Sequence, residues 1–304
     1  MDNEPNYTNI KMNEDLVIKI NVYIENIEPK TQSKGLNRDT TDKYYTNNSI
    51  VDLCYNSIKK HTNINIDDDI VIEPSAGNGA FIDKIKLLCN NYKFYDILPD
   101  NNVIVKQDYL NLDVNQFKNF SNKHIIGNPP FGRQSTFAIK FIKKSCKFAD
   151  TISFILPKSF KKDSLKKHFP LNFHLIHEQN LPENSFNVNG EIHNVPCIFQ
   201  IWLKKSEKRL KPEKPDPINF KFVKKTDSPD ISFRRVGVYA GKIDKSIEEK
   251  SIQSHYFIKF DIPFNDEIFQ KLQKINFDCR NNTVGPKSIS KPELIKKYNP
   301  ILTN

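Results

Sequence analysis

Short apolar runs alternate with amphipathic stretches through the middle of the chain, and this alternation predicts strands separated by helices. The first part of the pattern predicts a helix over residues 49–60, a strand over 70–72, a glycine loop and a helix over 80–89. A strand, a glycine loop and a helix in that order open a doubly wound α/β fold. The pattern then predicts a helix over 135–148 and further strands over 93–96, 103–106, 124–127, 152–156, 173–177 and 195–203.

The pattern changes towards both ends of the chain. Residues 1–38 are polar and irregular around one mixed stretch, 16–27, and we interpret them as an N-terminal arm. Residues 204–217 are rich in Lys and Glu with three prolines, which is typical of a linker. Beyond the linker we expect a smaller basic α+β domain, so the predicted division is 1–38, 39–205 and 206–304. The predicted elements of this C-terminal domain are strands over 218–223, 231–238 and 255–260, a helix over 265–275 and a helix start at Ser290.

The charge balance favours a polyanionic partner. The 304 residues include 46 Lys and Arg against 36 Asp and Glu, a net charge of +10. Cationic side chains that neutralise phosphates release counterions, which drives binding to nucleic acid. The alternative is that the lysines serve solubility alone. The high content of Lys, Asn and Ile suggests a genome poor in G and C, as in many giant viruses or AT-rich bacteria.

The cysteines and the first residues bear on the compartment. Five cysteines, odd in number and without a C-x-x-C pair, indicate neither a disulfide framework nor a zinc site, and we expect no metal. Residues 1–5 lack the basic region and apolar stretch of a signal peptide, and no run approaches membrane-spanning length. We therefore expect a soluble intracellular protein, in the cytoplasm or, for a viral source, in a viral factory or nucleoid.

The glycine loop, residues 73–79 with the sequence EPSAGNG, predicts a cofactor site. Its glycines let the backbone approach a ligand closely, and the helix after it presents free N–H groups. Ile82 stands where a dinucleotide-binding loop would carry its third Gly or Ala, which disfavours an NAD protein. Asp96 ends the next strand, where a carboxylate can accept bonds from both ribose hydroxyls. The alternative for Asp96 is an ordinary solvated acid.

The apolar run 124–127 ends in Asn128-Pro129-Pro130-Phe131. The side-chain carbonyl of Asn128 and the main-chain carbonyl of Pro129 offer two acceptors for a planar amine. Pro130 restricts the residue before it to extended angles, which fixes the direction of that carbonyl. Phe131 offers a flat apolar face for stacking on a base. The alternative is a proline-rich turn after a strand.

The glycine loop, 73–79, and the loop 128–131 resemble motifs I and IV of the class I S-adenosylmethionine-dependent amino-group methyltransferases that make N6-methyladenine. The resemblance covers residues 39–203 well and implies a Rossmann-like S-adenosylmethionine-dependent methyltransferase fold with S-adenosylmethionine as cofactor. It also implies a catalytic role for residues 128–131. Residues 42–46 resemble motif X, in which a Thr hydroxyl or backbone N–H meets the methionine carboxylate; Thr is also an ordinary N-cap. In that family, the Asp at the position of Asp108 accepts a hydrogen bond from the cofactor's adenine amine. The cofactor-binding residues that follow from the resemblance are Tyr45, Thr46, Glu73, Ser75, Gly77, Gly79, Asp96, Ile97, Asp108 and Tyr109.

The motif order X, I, II, III, IV and then a C-terminal extension is similar to the gamma arrangement of DNA adenine methyltransferases. The implied function is sequence-specific methylation of adenine N6 in DNA with base flipping. The expected nucleic-acid contacts are Phe186, His193, Arg234, Arg235, Lys242 and Lys259. Core packing is the alternative for Phe186, plain exposure the alternative for His193, and pairing with an acid the alternative for one of the two arginines.

Several alternatives stay open at this point. RNA is the second candidate substrate, because the loop reads only adenine. A non-catalytic nucleic-acid-binding subunit would usually lose the glycine loop or the Asn, and this chain keeps both. Enzymes that methylate protein glutamine use a similar loop, usually with Tyr, but carry their extra domain before the catalytic one. The sequence leaves open whether the protein is a homodimer.

Overall fold

The computed structural model describes residues 44–188 and 190–303, so the predicted N-terminal arm and residues 42 and 43 of the motif X string lie outside the described residues. The helices are α1 (Asn48–His61), α2 (Ile82–Lys86), α3 (Thr136–Ser145), α4 (Asp163–Lys166), α5 (Asp266–Gln273) and α6 (Lys291–Leu302). Single 3-10 turns cover Tyr109–Asn111, Val114–Phe117, Arg133–Ser135, Lys158–Lys161 and Asp278–Asn281.

Within the described residues the strands form three sheets. In chain order they are β1 (Tyr45–Thr46), β2 (Ile70–Glu73), β3 (Tyr92–Asp96), β4 (Val105–Lys106), β5 (Lys123–Gly127), β6 (Thr151–Pro157), β7 (Phe173–Asn180), β8 (Phe186–Val188), β9 (Glu191–His193), β10 (Cys197–Lys204), β11 (Phe220–Val223), β12 (Ile231–Arg234), β13 (Ile243–Asp244) and β14 (His255–Phe260). The sheets have seven, three and four strands.

The seven-stranded sheet has the order β4-β3-β2-β5-β6-β10-β7. Strands β4, β3, β2, β5 and β6 pair in parallel, and β10 pairs antiparallel with both β6 and β7. The central strands β2 and β6 are buried along their whole length, because helices cover both faces of the sheet. Each face has its own apolar core, one around Phe154 and Trp202 and the other around Ile155 and Phe199.

A small sheet joins the start of the described chain to a hairpin far along it. β1 pairs with β8, and β8 pairs with β9, in the order β1-β8-β9. The pattern of the sequence predicts no strand over 186–193. These strands are two or three residues long, too short to show the alternation that identifies a strand.

The C-terminal residues form a four-stranded sheet of order β11-β14-β12-β13, with α5 and α6 packed on a separate apolar core. Helix α6 begins where the sequence predicts it: Ser290 and Glu293 form a capping box and Pro292 lies in the first turn. The Nζ of Lys162 donates to the backbone O of Ser288 over 2.8 Å, which ties this region to the larger sheet.

Two elements differ from the prediction in an informative way. Helix α2 is five residues long, where the pattern predicts residues 80–89, because the glycine loop continues as turns through Phe81. The predicted linker contains no helix or strand over 205–217, but Arg209 within it is anchored. Its guanidinium donates to the carbonyls of Phe173, Lys166 and Phe169 over 2.9–3.3 Å. In the part of the chain that the structure describes, no helix is long and apolar enough to cross a membrane.

Candidate active site

The predicted motifs meet at the carboxyl edge of the seven-stranded sheet. The strand order reverses at β2, which lies between β3 and β5, and ligands bind beyond the carboxyl ends of parallel strands at such a point. Glu73 ends β2, Asp96 ends β3 and Gly127 ends β5. A Cβ placed on Gly127 would lie 3.3 Å from Cγ of Glu73, so the glycine loop and the Asn-Pro-Pro-Phe loop begin side by side.

Asp96 fixes the shape of the glycine loop. One carboxylate oxygen accepts from the backbone N of Gly77 over 2.8 Å, and the other accepts from the backbone N of Leu98 over 2.8 Å. Gly77 and Gly79 have φ of +54° and +90°, in the region that glycine alone adopts without strain. A Cβ on Gly79 would lie 2.5 Å from Cδ1 of Ile82, so a side chain there would displace Ile82 besides straining the backbone. Each Asp96 oxygen keeps a lone pair for a further donor.

Glu73 is a buried carboxylic acid with an unused oxygen. Its Oε2 is fully buried and has no hydrogen-bond partner. Burial raises the pKa of Glu73 well above its ordinary value, and the nearby carboxylate of Asp96 raises it further. A carboxyl group in this position gains most from a ligand that brings a positive charge, because such a charge stabilises the ionised form.

The side chain of Asn128 is held by its nitrogen. Its Nδ2 donates to the backbone O of Tyr44 over 3.1 Å and to Oγ1 of Thr46 over 3.3 Å. Its Oδ1 is buried and has no hydrogen-bond partner. The backbone O of Asn128 accepts from the Ser75 hydroxyl over 3.1 Å, which joins this loop to the glycine loop. The amide is thus oriented so that its carbonyl is the free group.

Tyr45 covers the glycine loop from the β1 side. A Cβ on Gly77 would lie 3.3 Å from Cε1 of the Tyr45 ring, and the Tyr45 hydroxyl donates to Oδ2 of Asp100. Asp100 in turn donates its backbone N to the carbonyl of Gly77 over 3.0 Å. The sequence pattern does not predict a role for Asp100 or for the Tyr44 carbonyl. The signal for Asp100 in the sequence is that it is an acid in the short loop after β3, four residues beyond Asp96.

Phe131 lies half-buried between the two apolar cores, with Pro129 buried before it. Its backbone O accepts from the N of Phe137 over 3.1 Å, so the loop leads directly into α3. Between them Gln134 and Ser135 have φ of +54° and +61°, which costs a non-glycine residue about 1–2 kcal/mol. Backbone strain of this kind is common beside functional sites.

The structure corrects one cofactor-binding prediction. Tyr109 is buried in the apolar core, stacked on Phe141, and its hydroxyl hydrogen-bonds to Ser145 Oγ over 2.8 Å. Burial raises the pKa of Tyr109. Its side chain therefore packs the sheet against α3 and is unavailable to a ligand. The neighbouring Asp108 carboxylate accepts from the backbone N of Leu110 and caps a 3-10 turn.

Ile97, also predicted to bind cofactor, is 62% exposed at the rim of the glycine loop. It follows Asp96 directly, beside the bonds that shape this loop. An apolar side chain of this size that remains in water is available to a ligand.

The predicted nucleic-acid contacts divide into buried and accessible residues. Phe186 is fully buried in the apolar core, opposite Thr46 in the β1–β8 pair, so the core-packing alternative holds and its ring cannot stack on a base. His193 is half-buried, with its ring edge-to-face to Tyr44. Lys242 is exposed over the Tyr239 ring, and Lys259 is half-buried opposite Lys221 in the C-terminal sheet.

Among the residues that the structure describes, the two arginines are held by backbone carbonyls rather than by an acid. Arg234 Nε donates to the carbonyl of Val236 over 2.8 Å, and Arg235 donates to the carbonyl of Gln253 over 2.7 Å. The guanidinium of Arg235 also lies over the Tyr256 ring. Each guanidinium keeps further donors. Among residues 44–188 and 190–303, no group of three His, Cys, Asp or Glu side chains could hold a metal ion.

The sheet, with its antiparallel strand next to last and its glycine loop at the switch point, has the Rossmann-like strand order of class I S-adenosylmethionine-dependent methyltransferases. Residues 80–207, less than half of the chain, match the family model of the EDM2 methyltransferase-like domain. A search of curated proteins finds no match.

Solved structures share the fold at low identity. A protein from Pyrococcus horikoshii, proposed to be an RNA methyltransferase, is 16% identical over 63% of this chain and 97% of its own, with a TM-score of 0.40. A protein from Listeria monocytogenes, proposed to be a class I S-adenosylmethionine-dependent methyltransferase, is 14% identical over 66% and 78%, with a TM-score of 0.42. A third, from Streptococcus mutans and proposed to be a methyltransferase, was solved with SAH; it is 14% identical over 51% and 97%, with a TM-score of 0.32. These scores are low, so the fold assignment rests on the strand order.

Proposed function

We propose that this protein transfers a methyl group from S-adenosylmethionine to N6 of an adenine base in DNA. The observation that carries the proposal is the state of Asn128. Its amide nitrogen is held by Tyr44 and Thr46, while its buried carbonyl oxygen has no partner. A buried acceptor without a partner is costly in a folded protein, and a ligand amine at this position would satisfy it.

The residues of the glycine loop fit the cofactor. S-adenosylmethionine, when bound, supplies an electrophilic methyl group on a sulfonium. The unpartnered carboxyl of Glu73 fits the positively charged amino group of its methionine part, and Asp96 has lone pairs left for the ribose hydroxyls. The positive φ of Gly77 and Gly79 lets the loop turn its backbone towards a ligand. Tyr45 and Asp100 border the same loop.

The loop after β5 prepares the amine. The exocyclic nitrogen of adenine is a weak nucleophile because its lone pair is delocalised into the ring. Two acceptors, Asn128 Oδ1 and the Pro129 carbonyl, would bind its two protons and favour a tetrahedral nitrogen, while Phe131 stacks on the ring. Rate enhancement then comes from positioning and from preoriented dipoles, without a strong general base. One amine proton passes to solvent as the new N–C bond forms and the methyl–sulfur bond breaks.

The charge of the chain supports nucleic acid as the substrate, since its sequence pI is about 9.1. An adenine inside a duplex is out of reach, so a duplex target has to be flipped out, at a cost of a few kcal/mol. The C-terminal sheet, with Arg234, Arg235, Lys242 and Lys259, is the proposed target-recognition region. RNA presents the same base edge, so the substrate test includes both polymers.

The test is incubation of the protein with methyl-labelled S-adenosylmethionine and matched DNA and RNA of the same sequence, followed by nucleoside analysis. We expect labelled N6-methyladenine, with DNA as the better substrate. N6-methyladenine found only in RNA would show that RNA is the substrate and that the proposal of DNA is wrong. N4-methylcytosine, methylated protein glutamine, or no product despite cofactor binding would contradict it.

A further inference from the structure

The helix after the Asn-Pro-Pro-Phe loop has an exposed basic face with no role in the site described above. Residues 132–149 contain no acidic residue. Lys144 turns away from this face, because its Nζ donates to the carbonyl of Leu112 over 2.6 Å. The exposed basic residues are Arg133, Lys140, Lys143 and Lys147. Across the described ranges 44–188 and 190–303, none of these four forms a salt bridge.

An exposed aromatic ring lies at the start of this face, beside the Asn-Pro-Pro-Phe loop. Phe137 is 45% exposed in the first turn of α3, which is unusual for so large an apolar side chain. A Cβ on Gly132 would lie 2.5 Å from Cδ2 of Phe137, so the ring rests on the residue that follows Phe131. The Nζ of Lys140 lies 5.3 Å from the centre of the same ring.

The positive charge of this face also acts on its neighbours. The pKa of His168 is lowered, first by burial and then by the charges of Lys143 and Lys167. The charges of these two lysines therefore disfavour a further cation at this place. A polyanion bound along α3 would relieve this repulsion between cations.

The spacing and length of the face fit a nucleic-acid strand. Residues 137, 140 and 143 follow at intervals of three, which places them on one side of α3, and Lys147 lies in the turn after its end. From Phe137 to Lys143 the helical rise amounts to about 9 Å. That is the length of about three stacked nucleotides at 3.4 Å each. Aromatic rings next to lysines are the usual means of binding single strands, because any base can stack.

We propose that Arg133, Phe137, Lys140, Lys143 and Lys147, the α3 basic face, bind the nucleic-acid strand that flanks the target adenine. Phe137 stacks on a base next to the target, and the lysines contact the phosphates that follow. This inference rests on the proposed function for its substrate class. The strand on α3 fixes the position of the target base, while the C-terminal sheet contacts other parts of the nucleic acid.

The test measures the affinity of the full-length protein for a fluorescent single-stranded oligonucleotide by anisotropy at several salt concentrations. The variants are Phe137→Ala, Phe137→Trp, and a triple change of Lys140, Lys143 and Lys147 to Gln. The matched control is a triple change of Lys59, Lys60 and Lys86 to Gln, which removes the same charge from exposed positions on α1 and α2. Thermal melting checks that each variant is folded, and calorimetry checks cofactor binding.

We expect Phe137→Ala to weaken binding about 5- to 150-fold and Phe137→Trp to retain it. The α3 triple change should lower the salt slope by about two units, since each phosphate that a lysine neutralises on a single strand contributes about 0.7. The control triple change should leave the slope close to that of the unmodified protein. Equal slopes for the two triple variants, or normal binding by Phe137→Ala, would overturn the inference.

The readouts separate this inference from the proposed function. If the unmodified protein methylates adenine and the α3 variants bind normally, only the inference on α3 fails. If the oligonucleotide binds through α3 but no methyl group is transferred, only the proposed reaction fails. If the unmodified protein binds no oligonucleotide of either polymer, both are wrong.

Discussion

The amide nitrogen of Asn128 lies 3.3 Å from the Thr46 hydroxyl, across 82 residues of sequence. This contact joins the loop after β5 to the short strand β1, which in turn pairs with β8. The orientation of the proposed catalytic amide therefore depends on a small sheet outside the Rossmann-like core.

Replacing Asn128 by Ala is expected to lower methyl transfer about 100- to 1000-fold, the usual effect of removing one preoriented hydrogen-bonding group from an active site. Cofactor affinity, measured by calorimetry, should stay close to normal because the Oδ1 that is lost is the proposed partner of the target amine and not of the cofactor. Thr46→Val is the matched control, since it removes one partner of Nδ2 and keeps Oδ1. An equal loss of activity in both variants would show that Asn128 acts by holding β1.

Glu73 predicts a pH dependence of cofactor binding. Burial and Asp96 raise the pKa of its carboxyl in the free protein, and a cationic ligand should lower it again. Binding then releases a proton between these two pKa values, so cofactor affinity should rise with pH, by up to about tenfold per unit, and level off above the pKa of the free form. Calorimetry over a pH series should show this rise, and Glu73→Gln should remove it.

The same shift affects stability with the opposite sign. The folded free protein binds the Glu73 proton more tightly than the unfolded chain does, so this contribution to stability is complete below the ordinary pKa. It is lost as pH rises through the raised pKa. The increase in melting temperature caused by saturating cofactor should therefore grow with pH. A constant increase over the series would contradict the assignment of Glu73.

Asp96→Ala is expected to weaken cofactor binding about 10- to 150-fold. The carboxylate holds Gly77 and Leu98 through their backbone N–H groups, and the loss of a bond to a charged group costs about 1.5–3 kcal/mol. Asp113→Ala is a suitable control, because that carboxylate accepts from the backbone N of Asn115 away from the glycine loop. Unchanged affinity in the Asp96 variant would remove it from the site.

Arg209 is expected to set where the larger domain can be cut. A chain that ends at Lys205 lacks the three hydrogen bonds from Arg209 to carbonyls and its cation–π interaction with Trp202, whereas a chain that ends at Glu213 keeps them. The longer fragment should have the higher free energy of unfolding in urea, by about 1.5–3 kcal/mol or more, and should bind cofactor. Arg209→Ala in the full-length chain should be destabilised in the same direction. Equal stability of the two fragments would show that the anchor contributes nothing.

Arg234 and Arg235 test the predicted recognition region. Changing both to Gln should weaken nucleic-acid binding and lower the salt slope by about one unit for each phosphate of duplex DNA that an arginine neutralises. If either arginine contacts a base edge, binding to the preferred sequence should lose about 1–3 kcal/mol more than binding to other sequences. Lys274→Gln with Lys297→Gln is a control of equal charge, at the end of α5 and on α6. An equal effect in this control would mean that net charge alone is responsible.

The sequence predicts the larger sheet and the place of the two loops at its carboxyl edge well, because the central strands are continuous apolar runs and the glycines mark the switch point. It fails where a contact spans a long stretch of sequence. Tyr45 pairs with Asn187, and neither residue stands in an alternating pattern. Tyr109 stands next to Asp108 in a motif-like string, yet only the three-dimensional packing shows that its ring belongs to the core. Arg209 looks like one more charge in a polar linker until its acceptors are seen.

The position of β10 has a consequence for synthesis on the ribosome. In the seven-stranded sheet β7 pairs with β10 alone, and β10 fills the space between β7 and β6. A nascent chain that has not yet produced residue 197 therefore carries β7 without a neighbour and β6 with an open edge. Such unpaired edges promote association with other chains, and pairing over long sequence separations is slow. We expect the completion of β10 to be the step that pairs both strands and so ends this exposure of strand edges in the larger sheet.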